Sequence, residues 1–140
     1  MTPEITISLD AMGGDAAPGM VVGGAALARE RHPNLRFLLF GDEAKLTPLL
    51  SRHRALRDVA DVRHTDQQVK STDRPSHALR QSRQSSMRLA INAVAQGEAG
   101  GVVSAGNTGA LMAMSKFVLK PMKGIDRPAL CGFLPTLRGE

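Results

Sequence analysis

Short apolar runs alternate along this chain with stretches of helical pattern. Residues 5–9 (ITISL) and 35–40 (LRFLLF) read as strands buried on both faces, because apolar residues follow one another without the polar alternation of a half-exposed strand. Residues 59–64 carry a weaker strand pattern and residues 101–104 a short one. Residues 129–134 (ALCGFL) are expected to add another. Between these runs, residues 20–31, 43–56, 76–96 and a stretch from the end of the 104–110 loop to about residue 119 are expected to be helical. Pro33 closes the first of them, Pro48 interrupts the second and Gly97 suits the end of the third. A chain that repeats strand, helix, strand in this way is best satisfied by a mostly parallel sheet covered on both faces by helices, an α/β fold of three layers. Residues 1–140 read as part of one such domain, with no internal repeat, low-complexity tract or linker. No helical pattern follows the last apolar run, so the chain is expected to be the first part of a longer protein.

Composition narrows the class. Hydrophobic residues make up 42% and charged residues 22%, enough for a folded core. No apolar run approaches the roughly 20 residues of a membrane span, and the first ten residues lack the basic-then-apolar order of a secretory signal. Cys131 is the single cysteine, so no internal disulfide can form, which fits a reducing cytoplasm; within its apolar run it is expected to be a buried, inert thiol. The net charge of +5 favours anionic partners. Nucleic acid is disfavoured among them, because there is no Trp or Tyr to stack on bases and the Lys and Arg residues are dispersed.

Two loops stand where strands hand over to helices: Met12-Gly13-Gly14-Asp15 after the first strand, and Ser104-Ala105-Gly106-Asn107-Thr108-Gly109 after the fourth. In an open parallel sheet, ligands bind beyond the carboxyl ends of the strands. Helix N-termini there present unpaired N–H groups, and glycine lets a backbone approach an anion closely. The junction at 104–109 therefore suits phosphate, with Ser104 and Thr108 hydroxyls adding to backbone donors. The same residues also suit a plain tight turn. Neither loop is a dinucleotide fingerprint or a P-loop. On the helix expected from Ser76, Arg80 and Arg83 project onto the face that continues as Met87, Ala90, Ile91 and Val94. Guanidinium groups placed there would face water, a carboxylate or an anion, unless a kink near Ser85-Ser86 turns them to solvent. Asp10 and Asp15 bracket the first glycine loop, where they could bind a metal, orient a donor or cap a turn. Among the histidines only His77 is expected near the crevice, and none has metal-ligand spacing.

These motifs also match a family. "LDAMGGD" (9–15) with Pro18, "DRPSHALR" (73–80), "SSM" (85–87), "SAGNTGALMA" (104–113) and "GIDRPAL" (124–130) resemble, in order, the motifs of the PlsX-type phosphate acyltransferases. The resemblance covers nearly all 140 residues and implies the N-terminal portion of that family's longer chain. It implies a Rossmann-like fold related to phosphotransacetylases and to isocitrate and isopropylmalate dehydrogenases. The implied reaction is transfer of a fatty acyl group from acyl-(acyl carrier protein) to inorganic phosphate, giving acyl phosphate for phospholipid synthesis. No nicotinamide, other cofactor or metal is implied. The implied setting is a cytoplasmic homodimer, at most peripheral to the inner membrane face, feeding a membrane glycerol-3-phosphate acyltransferase. On this reading Asn107 would donate to the developing oxyanion and Ser104 would act beside it. Ser104, Gly106, Asn107, Thr108 and Gly109 would cradle phosphate, Gly13 and Gly14 would shape the neighbouring wall, and Arg80 or Arg83 would neutralise it. Arg127, within "GIDRPAL", would be either a further anion ligand or a loop brace through Asp126. Coenzyme A as the acyl carrier remains an alternative, as does a non-catalytic module that binds phosphate or scaffolds lipid enzymes.

Overall fold

The computed structural model describes residues 3–133 and 135. Four strands, β1 (Ile5–Asp10), β2 (Leu35–Gly41), β3 (Ala60–His64) and β4 (Gly101–Val103), run parallel in one sheet of order β3-β2-β1-β4. The helices are α1 (Gly19–Arg31), α2 (Glu43–Leu50), α3 (Pro75–Gln81), α4 (Ser86–Ala95) and α5 (Thr108–Leu119). The strand period of two divides β1 and β2 between the sheet's faces. Leu9, Phe37 and Leu39 pack with Val22, Ala25 and Ala26 of α1 and with Leu46 of α2. Leu38 and Phe40 point the other way, onto Ala90 and Ala93 of α4. Both faces are therefore covered, which is why these strands read as unbroken apolar runs. Ser8 is a buried polar residue within β1, and its hydroxyl is satisfied by the carbonyl of Ala90 at 2.7 Å. The three-layer α/β expectation is met.

Three local expectations change. The helix expected to reach residue 56 ends at Leu50, with Pro48 inside it. Proline cannot donate to the ladder, and Ser51 Oγ takes the Pro48 carbonyl at 2.9 Å. A separate 3₁₀ turn, Arg54–Leu56, then delivers Leu56 to the core. The long helix expected over residues 76–96 is two helices, α3 and α4. Ser85 Oγ donates to the Ser82 carbonyl at 2.7 Å and accepts from Arg88 N–H at 3.3 Å, so it caps α4 and separates it from α3. Residues 129–133 pair with no strand, and Leu134, the last residue of that expected strand, lies outside the described residues. All of residues 120–133 are exposed, Cys131 among them, so its expected burial is also overturned: no layer of the sheet reaches this segment.

The sheet order positions the site. From β1 the chain crosses to β2 over the face carrying α1, whereas α5, which follows β4, packs with α4 on the opposite face. Connections diverge between β1 and β4, and a crevice opens at the carboxyl ends of these two neighbours.

Candidate anion site at the switch point

Asp10 ends β1 and is 2% exposed. One of its oxygens accepts Ser86 Oγ of α4 at 2.5 Å, and the other accepts Ser104 Oγ at 2.7 Å. Ser104 Oγ in turn accepts the N–H of Gly106 at 3.1 Å. Gly13 lies directly against this cluster: a Cβ there would overlap Asp10 Oδ2 and come within 2.9 Å of Ser104 Oγ. Gly14 follows with φ +106°, in the region glycine favours. The two glycine loops thus pack backbone on backbone, and a Cβ on Gly106 would sit 3.2 Å from Gly13 Cα.

In front of this packing is a cleft of about 610 Å³. Met12, Gly14 and Asp15 form one wall, Ala105 and Gly106 a second, and residues 68–72, with Lys70, Ser71 and Thr72, a third. No acceptor among the described residues meets the N–H groups of Gly14, Asp15 or Ala105. Asn107 caps α5 by accepting from Ala110 N–H at 3.0 Å. Its amide nitrogen reaches the carbonyls of Lys70 at 3.3 Å, Ser71 at 3.2 Å and Asp73 at 2.8 Å, fastening the third wall to the start of α5.

The residues expected around the anion occupy different places. Gly14 and Gly106 line the cleft, while Gly13 and Ser104 stand behind it. The Ser104 hydroxyl and the Asn107 amide both donate to protein acceptors. Thr108 and Gly109 open α5 away from the cleft lining, with Gly109 against Pro75. Arg80 and Arg83 are exposed and line no part of the cleft, because the break after Gln81 resets the helical phase. His77 is likewise exposed on α3, and Arg127, also exposed, lies in the segment after α5. Arg88 of α4 bonds Asn92 and lies over the Phe117 ring, 5.4 Å from its centroid. Partial burial, then the neighbouring Arg83 charge, lower its pKa, yet a guanidinium stays protonated. Among the described residues no cluster of three His, Cys, Asp or Glu side chains could hold a metal. Lys70, Ser71 and Thr72, which line the cleft, are the residues sequence reasoning missed. A Lys-Ser-Thr run just before a helix start was a visible but weak signal; nothing local announced that Ser86 meets Asp10.

A Rossmann-like three-layer protein with glycine loops meeting at its switch point is the class these features define. Residues 5–140 match the family described as "Fatty acid synthesis protein", and the chain belongs to it. Among its relatives are proteins named phosphate acyltransferase from Rhodospirillum centenum (61% identical), Rhodospirillum rubrum (58%) and Paramagnetospirillum magneticum (56%). Each match covers all of this chain and 39–40% of the relative, so the chain spans about two fifths of their length.

Proposed function

We propose that this chain forms the phosphate-binding part of an enzyme that transfers a fatty acyl group from acyl-(acyl carrier protein) to inorganic phosphate. The observation that carries the reading is the cleft at the β1–β4 switch point, bordered by Lys70 and by three backbone N–H groups that meet no acceptor among the described residues. A phosphate oxyanion would accept from the Gly14, Asp15 and Ala105 amides and from the Ser71 and Thr72 hydroxyls, with the Lys70 ammonium balancing its charge. Phosphate is itself the nucleophile, so no serine or cysteine need be acylated. Its oxygen attacks the thioester carbonyl, the C–S bond breaks with its electrons on sulfur, and the carrier leaves as a thiol once protonated. Alignment of phosphate with the thioester supplies much of the acceleration, up to about 7–11 kcal/mol in well-oriented systems. The chain's net charge of +5 would attract an acidic carrier protein. The acyl phosphate would pass to a membrane glycerol-3-phosphate acyltransferase, and the working form would be a homodimer in the cytoplasm or at the membrane face. No described helix is long and apolar enough to cross a membrane.

The test offers acyl-(acyl carrier protein) and acyl-coenzyme A separately, each with phosphate, to the full-length enzyme and follows acyl phosphate by ³¹P NMR. Product from the carrier-protein thioester, with a phosphate KM raised about tenfold by Lys70→Ala, supports the reading. Phosphate binding without product from either thioester would favour a binding module and sink it.

A further inference from the structure

We infer that Asp10 is the positioning residue of this cleft, setting the shape of the 104–107 loop through Ser104. The inference deepens the phosphate reading and rests on it. A buried carboxyl group is costly unless it is bonded, and Asp10 is bonded on both oxygens. The two branches end differently. Through Ser86 it reaches the buried start of α4, and the onward link from there, Ser86 N–H to the Gln67 carbonyl at 2.9 Å, is main-chain and survives Ser86→Ala. Through Ser104 it reaches the cleft: donating to Asp10 fixes the hydroxyl's orientation, and that hydroxyl then receives the Gly106 N–H. The turn that presents the Ala105 amide is thereby held against the first glycine loop. Ser86 is thus an internal control for burial and folding, and Ser104 carries the effect to the ligand.

Asp10→Asn separates geometry from charge. A negative charge near phosphate repels it, so if charge alone mattered the variant would bind phosphate more tightly. Loss of positioning weakens binding instead. In the full-length enzyme, Asp10→Asn and Ser104→Ala should each raise the phosphate KM about tenfold, as for a lost bond to an ionised group. The double variant should be no worse than the poorer single one, because one relay is broken in both. Ser86→Ala should lower the thermal midpoint and leave KM within about twofold. In the 140-residue chain, hydrogen exchange at Gly106 should quicken in Asp10→Asn and Ser104→Ala but not in Ser86→Ala. An unchanged or lowered KM in Asp10→Asn, or equal effects of Ser86→Ala and Ser104→Ala, would overturn the inference. Should Asp10→Asn fail to fold, the two serine variants decide it. If the wild-type enzyme makes no acyl phosphate, the phosphate reading fails, while exchange at Gly106 still decides the role of Asp10.

Discussion

Gly13→Ala adds one methyl group at the most crowded point of the site. That methyl would overlap Asp10 Oδ2 and approach Asp10 Cγ to 3.0 Å and Ser104 Oγ to 2.9 Å. None of these atoms yields cheaply, since Asp10 is buried and held by two hydroxyls. Overpacking of this kind costs about 1–3 kcal/mol, and displacing Asp10 from one hydroxyl adds about 1 kcal/mol. The sum is roughly 2–4 kcal/mol. At roughly 3–5 °C per kcal/mol for a chain of this size, the thermal midpoint should fall by about 10 °C. Gly23→Ala is the matched control. It lies in α1, nothing stands within 4 Å of its Cβ position, and replacing a mid-helix glycine should stabilise by about 0.5–1 kcal/mol. Thermal circular dichroism of the two variants beside the parent chain measures the contrast. Equal midpoints for Gly13→Ala and the parent would refute the claim that the two loops are packed on Asp10.

Asn107→Ala removes the cap of α5 and the fastening of residues 70–73, so it should cost about 1–2 kcal/mol in unfolding and raise the phosphate KM of the full-length enzyme about tenfold. Arg80→Ala and Arg83→Ala should leave that KM within about twofold, since both side chains are exposed outside the cleft and exposed charges contribute little. Cys131 is exposed, so in the 140-residue chain it should react with a disulfide reagent at the rate of an unstructured peptide thiol. Protection by 100-fold or more would place it in a packed environment and contradict this structure.

The fold was legible because β1 and β2 are buried on both faces, and an unbroken apolar run such as LRFLLF admits few other readings. The meeting of the two glycine loops beside a cleft was legible as well, since glycines at strand-to-helix junctions mark where the backbone must approach something closely. The placement of side chains around that cleft was not. Helical phase carried Arg80 and Arg83 onto the Met87 face only while the helix was continuous, and the bonds of Ser85 interrupt it. Asn107 has the chemistry of an oxyanion donor, but three carbonyls from a loop more than thirty residues earlier take its amide. Such competition between distant groups leaves no periodicity or spacing to read. Cys131 failed for the opposite reason: its apolar neighbours have no partner surface among the described residues.

The pairing of β1 with β4 also has a consequence in time. Asp10 and Ser104 are 94 positions apart in the chain. At a ribosome adding about 5–20 residues each second, roughly 5–20 seconds separate their synthesis. Through that interval β1 and β2 are both made, whereas the second hydroxyl that Asp10 accepts from is not. The cleft between β1 and β4 therefore closes only after β4 is made, well after β1 and β2.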